Sequence, residues 1–263
     1  MTGATAVIAL VLIEWTAGWI GIAAWSQSWN EIRRGHFRIT AWVTVALAII
    51  AFIAGRSALV AISDRGLQLG LLTALLASAI VYLLVQYSNT DVPGTVVGAI
   101  AGLTGAAALA SMATLIPGWP GLLGAVELLS GMLLLGGVMN GMMLGHWYLN
   151  QPGMKTNLLG RLTTLSLIAS VGTGVLGIAA ASRLSGAETE GAVLGLPGFG
   201  NSFGTAFFVA WLVLTVFTGG VVWAARRCVQ IRSIQSATGL FYVAVLSAGV
   251  AEFLIRYLML NAG

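Results

Sequence analysis

Eight long apolar stretches dominate this chain and limit what it can fold into. We place them near residues 4–26, 39–62, 67–87, 94–117, 121–145, 158–182, 203–225 and 236–260. A helix that crosses a membrane needs about 20 consecutive, mainly apolar residues. Of the 263 residues, 58% are hydrophobic and only 8% are charged, which leaves too little polar surface for a water-soluble globule. We therefore predict an all-α, polytopic integral membrane protein with about eight transmembrane helices.

The breaks between these stretches are short and rich in turn-forming residues. Clusters of Asn, Gly and Pro occur at 89–94, 117–121 and 150–153, and the longest break, 183–202, is rich in Gly and holds Glu188 and Glu190. None of the breaks is long enough for a soluble domain, so we expect no catalysis outside the membrane. The net charge of the chain is +4. In a membrane protein such an excess of basic residues usually reflects which side of the membrane the loops face, and it does not indicate nucleic-acid binding.

The basic residues predict an orientation. The connections after spans one, five and seven carry eight of them: Arg33, Arg34, Arg38, Lys155, Arg161, Arg226, Arg227 and Arg232. The opposite side receives four: Arg56, Arg65, Arg183 and Arg256. Because cytoplasmic loops are enriched in Lys and Arg, we expect those three connections in the cytoplasm and both termini outside, in a bacterial inner membrane.

A repeated motif suggests an internal duplication. Gly35-His36-Phe37-Arg38-Ile39-Thr40 follows span one, and Gly145-His146-Trp147-Tyr148-Leu149-Asn150 follows span five. Span one also contains Glu14 and Gly18, and span five contains Glu127 and Gly131. We predict two parallel four-helix halves, residues 1–118 and 119–263, with His36 and His146 in corresponding places. Coincidence in a sequence of low complexity is the alternative.

The two histidines are candidate ligands. On different helices, His36 and His146 could hold a haem b through both axial positions, or donate to a quinone carbonyl, with Trp147 beside them. Haem histidines usually lie within the helical span, whereas these lie at its edge, so an interfacial role or a quinone contact is favoured. We expect no other metal site, because the single cysteine, Cys228, excludes a cysteine-ligated cluster built from this chain alone.

Ionisable residues inside the spans point to a functional site. A charge at the bilayer centre costs about 2.5–3.5 kcal/mol on insertion scales, so such residues usually have a function. Glu252 and Arg256 lie one helical turn apart and can neutralise each other, and Arg56 can reach the membrane surface. Glu14 and Glu127 have no partner three or four residues away, so they must be protonated, paired across helices or facing water.

These residues suggest one polar site in the outer half of the membrane. We predict Glu14 and Glu127 as its proton-transferring residues, because a neutral carboxyl can donate to a quinone carbonyl and then relay a proton. Six further residues are predicted as ligand contacts: Arg56, His36, His146, Trp147, Glu252 and Arg256. The histidines would mark a second site or a proton exit at the cytoplasmic ends of the spans.

In span count and proposed duplication the chain resembles the integral membrane subunits of polysulfide-reductase and dimethyl-sulfoxide-reductase complexes. This resemblance implies a quinone-interacting subunit of a respiratory or photosynthetic electron-transfer complex, with an iron–sulfur protein among its partner subunits. Two other classes stay open: a structural subunit of a membrane complex with no site of its own, and a proton-coupled transporter of small solutes.

Overall fold

The computed structural model describes residue 1 and residues 3–88, 90–151, 153–185 and 203–261. These residues form helices and no strand: α1 (Ala4–Gln27), α2 (Arg34–Ala58), α3 (Gly66–Val85), α4 (Val92–Ala113), α5 (Gly121–Trp147), α6 (Asn157–Ala179), α7 (Ala181–Ser185), α8 (Phe203–Gln230) and α9 (Ile234–Asn261). Every helix except the short α7 is long and apolar enough to cross a membrane. The prediction of a polytopic, all-α membrane protein with eight spans is confirmed. Most of the Gly-rich break, including Glu188 and Glu190, lies outside the described residues.

The start of α2 corrects the comparison of the two histidine motifs. Helix α2 begins at Arg34, five residues before the apolar stretch that predicted it, after a turn in which Asn30 adopts a φ of 53°. His36 therefore lies in the first turn of α2, whereas His146 lies in the last turn of α5. The expectation that the two histidines occupy corresponding places is wrong. Hydropathy marks where a helix enters lipid, and polar residues can extend the helix beyond that point.

The spanning helices pack in two rings of four. In the first ring α1 contacts α2, α2 contacts α3, α3 contacts α4 and α4 returns to α1. In the second, α5, α6, α8 and α9 contact one another in the same cyclic order. The rings meet where α1 packs against α5, with α4 also touching α5 and α1 also touching α9. A parallel duplication would give this pattern, but the division at residues 1–118 and 119–263 stays a prediction.

Helix α1 lies at the centre of the bundle because small residues let its neighbours come close. In its most apolar stretch 78% of the residues are buried, against 50% or less in each other described span. A Cβ on Gly18 would overlap the carbonyl oxygen of Met132, and a Cβ on Gly136 would overlap the backbone of Gly18. A Cβ on Gly102 would lie 2.8 Å from the Cα of Gly21. Close backbone packing of this kind holds helices together in lipid, where the hydrophobic effect between helices is weak.

The first prediction tests this packing. Gly18→Ala should destabilise the protein by about 1–3 kcal/mol, because the new methyl group can be accommodated only by moving the α5 backbone. The matched control is Gly172→Ala in α6, where an added Cβ meets no other atom within 4 Å. The control should be neutral or slightly stabilising, since Ala favours a helix more than Gly. The measurement is the unfolding free energy in mixed detergent micelles, and equal stabilities of the two variants would contradict the packing.

Candidate functional site

Three glutamates from three helices surround one arginine in the interior of the bundle. The Nε of Arg256 lies 2.7 Å from Oε1 of Glu14, and its Nη2 lies 2.6 Å from Oε2 of Glu252. Its Nη1 lies 4.0 Å from Oε2 of Glu127. All four side chains have an exposed fraction of 0%. We call these four residues the Arg256 cluster.

Residue spacing within α9 and the packing of α1 and α5 against α9 bring the four side chains together. Glu252 and Arg256 are four residues apart in α9, so they lie on one face of that helix. Glu14 comes from the middle of α1 and Glu127 from the first third of α5, both of which pack against α9. Gly131 of α5 makes room for the pair, because a Cβ there would lie 2.5 Å from Oε2 of Glu252 and would also overlap the guanidinium of Arg256.

Further contacts hold the guanidinium in place. Nη2 of Arg256 donates to the backbone carbonyl of Glu127 at 2.9 Å, and Nη1 contacts the sulfur of Met259 at 2.9 Å. The same Glu127 carbonyl accepts a hydrogen bond from the hydroxyl of Ser130 at 2.9 Å. With Glu14 on Nε, every nitrogen of the guanidinium has a polar or sulfur contact. A planar guanidinium with several donors suits this bridging position better than a lysine ammonium would.

The single positive charge of Arg256 cannot neutralise three ionised carboxyl groups. Three carboxylates and one guanidinium would leave two net negative charges in a site without solvent exposure. Among the described residues, five of the six carboxyl oxygens accept no hydrogen bond: both oxygens of Glu14, both oxygens of Glu127 and Oε1 of Glu252. Because uncompensated charge is expensive in a low-dielectric interior, charge balance favours the binding of protons by these carboxyls.

The structure brings some of the sequence-predicted site residues together and separates others. Glu14 is paired across helices, which is one of the three situations expected for it. Its partner is Arg256, which the sequence paired with Glu252 and predicted as a ligand contact, but did not pair with Glu14. Arg56 lies exposed in the last turn of α2 and forms no ion pair with any described residue, so it does not join the cluster. The sequence did not predict that Gly131 leaves room for the side chains of Glu252 and Arg256. The only signal was its position four residues after Glu127, on the same face of α5.

The two histidines lie at the opposite end of the bundle in different surroundings. His36 is buried, with its ring 5.0 Å from that of Phe37 and 5.8 Å from that of Trp147. His146 is exposed, and its Nδ1 lies 3.3 Å from the hydroxyl of Tyr242. Within the described ranges no group of three or more His, Cys, Asp or Glu residues could hold a metal ion.

An apolar cavity of about 430 Å³ lies along α1. The small residues Gly18, Gly21 and Gly102 form part of its wall, together with Met132 of α5 and Trp25 of α1. Glu14 does not line this cavity, but Gly18 lies one turn further along the same helix, a rise of about 6 Å. A flat apolar ligand could therefore contact the backbone of α1 within one helical turn of the Arg256 cluster.

Comparisons of the chain with protein-family models, with curated protein sequences and with solved structures find no match.

The second prediction concerns the stability of the cluster. Arg256→Met should cost about 3–5 kcal/mol of unfolding free energy, because it leaves buried carboxyls without their cation. Arg56→Met is the matched control, since it makes the same chemical change at an exposed position, and it should change stability by no more than about 0.5 kcal/mol. Unfolding free energies in mixed micelles test both variants. If Arg256→Met were as stable as the control, the cluster would not support the bundle.

Proposed function

We propose that this integral membrane protein exchanges electrons and protons with a quinol as a subunit of a larger electron-transfer complex. In this proposal the Arg256 cluster is the proton-binding site. The observation that carries it is the shared guanidinium, because three buried carboxyls around one fixed positive charge can bind and release protons without moving a helix. Ionisable groups held inside a membrane are typical of proton pathways.

The proton count of quinol oxidation fits the charge deficit of the cluster. Oxidation of one quinol to quinone releases two electrons and two protons. Glu14 and Glu127, each protonated at rest, would relay these protons. Each would pass its own proton on along the exit path and take one from the quinol in its place, while Arg256 stays charged. The electrons would pass to a partner subunit, which by the resemblance to the reductase complexes would carry an iron–sulfur cluster. His36 and His146, at the opposite end, would serve proton exit in this proposal.

The apolar cavity along α1 supports a quinone as the ligand. Its wall includes Gly18, Gly21 and Gly102. The space of their absent side chains is taken by the close packing of α1 against α4 and α5, so a planar ring would lie in the cavity beside these backbone contacts. Ligand sites of this kind are concave and mainly apolar, with a few polar groups to fix orientation. Glu14, one turn from Gly18, would be the nearest member of the cluster to such a ring.

The orientation proposed from the sequence becomes more asymmetric when burial is taken into account. Arg256 belongs to the buried cluster, so three basic residues remain at its end of the bundle against eight at the other. We propose that the basic end faces the cytoplasm of a bacterium and that both termini face outward. The Arg256 cluster would then lie in the outer half of the inner membrane.

A structural role is the second candidate function. The Arg256 cluster ties α1, α5 and α9 together at the junction of the two rings, and all of its side chains are fully buried. A subunit without a site of its own could use such a cluster only to fix helix positions. Buried polar groups can specify one packing arrangement even when they add little net stability.

The third prediction separates these two functions. Glu127→Gln and Glu14→Gln should leave the protein inserted and assembled, because glutamine keeps the shape and hydrogen-bonding capacity of the protonated acid. Each change should lower quinol-linked electron transfer in the intact complex by at least about tenfold, the range for losing a positioned acid or base. Glu31→Gln is the matched control, since Glu31 forms a surface ion pair with Lys155 at 3.2 Å, away from the cluster.

Two measurements on one preparation decide the outcome: the amount of assembled complex and the turnover per assembled complex. The proposed function predicts normal assembly and low turnover for both cluster variants, and normal values of both quantities for Glu31→Gln. Impaired assembly with normal turnover would favour the structural role. Normal turnover in both cluster variants would contradict the quinol proposal.

A further inference from the structure

A second cavity, of about 760 Å³, opens at the basic end of the bundle between the start of α6 and the end of α8. Its wall contains three arginines: Arg161 on α6, Arg226 on α8 and Arg232 in the turn that follows α8. Trp25 of α1 is also part of the wall. This basic cavity is separate from the Arg256 cluster, which lies toward the other ends of these helices.

The three arginines carry charge that the described part of the chain does not neutralise. Asp91 pairs with Arg34 at 2.9 Å, and Glu31 pairs with Lys155 at 3.2 Å, so the acidic side chains described at this end already have partners. None of the described residues lining the basic cavity is acidic, and none of its three arginines forms an ion pair with a described carboxylate. The cavity therefore has a strong preference for an anion.

One of the three arginines, Arg161, is held in position by an aromatic ring. The guanidinium of Arg161 lies 5.0 Å from the centre of the Trp29 ring, a cation–π contact that limits its motion. The first turn of α6, at Asn157, faces the same space and adds the partial positive charge of a helix N-terminus. Thr156 and Gln230 add further polar side chains to the wall of the cavity.

The lining changes from polar to apolar along one face of α6. Asn157 and Arg161 lie near the start of α6, Thr164 follows about one turn deeper, and Leu165 and Ile168 continue toward the membrane interior. The side chain of Ile168 is 65% exposed, so this face is open to the bilayer. A ligand that fits both parts has an anionic head and an apolar chain.

We propose that the basic cavity binds one anionic phospholipid. Arg226 and Arg232 hold the phosphate of its headgroup, Arg161 contacts the same group from the α6 side, and an acyl chain lies along Leu165 and Ile168. Arginine suits this position because its planar donors match phosphate oxygens. Basic pockets between transmembrane helices commonly bind anionic headgroups. The basic cavity shares Trp25 and Leu165 with the apolar cavity along α1, but the lipid proposal rests on the three arginines and does not require quinol binding.

The experiment measures lipid binding to the purified, delipidated protein in neutral detergent by native mass spectrometry. The probes are dioleoyl-phosphatidylglycerol, dioleoyl-phosphatidylcholine, the deacylated headgroup glycerophosphoglycerol and inorganic phosphate. The test variant is Arg161→Gln/Arg226→Gln/Arg232→Gln. The matched control is Arg56→Gln/Arg65→Gln/Arg183→Gln, which removes the same charge from the opposite end of the bundle. Circular dichroism of both variants verifies that the helices are retained.

We expect phosphatidylglycerol to bind at least about tenfold more tightly than phosphatidylcholine, as three arginines near one phosphate should provide. The test variant should lose this preference and the control should keep it. Inorganic phosphate and the deacylated headgroup should compete poorly, because they lack the chain that contacts Leu165 and Ile168. Equal binding of the two lipids, a preference that survives in the test variant, or phosphate competing as well as the lipid would each overturn the proposal.

Discussion

The fold depends on one guanidinium shared by three carboxyl groups away from solvent. Arg256 reaches Glu14 on α1 and Glu127 on α5 from its own helix α9, so the cluster lies at the junction of the two helix rings. Removing either sign of charge would leave the other uncompensated in a low-dielectric interior. The balance of charge in the Arg256 cluster therefore affects both the positions of the helices at this junction and the affinity of the carboxyl groups for protons.

Close helix packing makes this cluster possible. Gly131 of α5 leaves room for the Glu252–Arg256 ion pair of α9. Gly18 of α1 and Gly136 of α5 allow the backbones of these two helices to pack closely, about one turn along α1 from Glu14. Gly18 and Gly21 also line the apolar cavity next to the cluster. Some of the small residues that hold the bundle together thus also lie in the wall of the apolar cavity.

Much of the fold could be predicted from the sequence, and the site only in part. The eight spans follow from hydropathy alone, and the Glu252–Arg256 pair follows from its four-residue spacing. The link from Glu14 to Arg256 could not be predicted, because their proximity is a consequence of which helices pack together. The basic cavity could not be predicted for the same reason, since Arg161 and Arg226 line one cavity only because α6 packs beside α8. The false match of His36 with His146 arose because hydropathy does not locate the polar first turn of a helix.

The central claim is that carboxyls of the Arg256 cluster hold protons at neutral pH. Infrared spectroscopy of the purified protein tests it directly, because the C=O stretch of a protonated carboxyl is distinct from carboxylate bands and shifts in D₂O. We predict such a band in the unmodified protein and in Glu31→Gln, with loss of intensity in Glu14→Gln or Glu127→Gln. Absence of any protonated-carboxyl band at neutral pH, or a band unchanged in both cluster variants, would contradict the account.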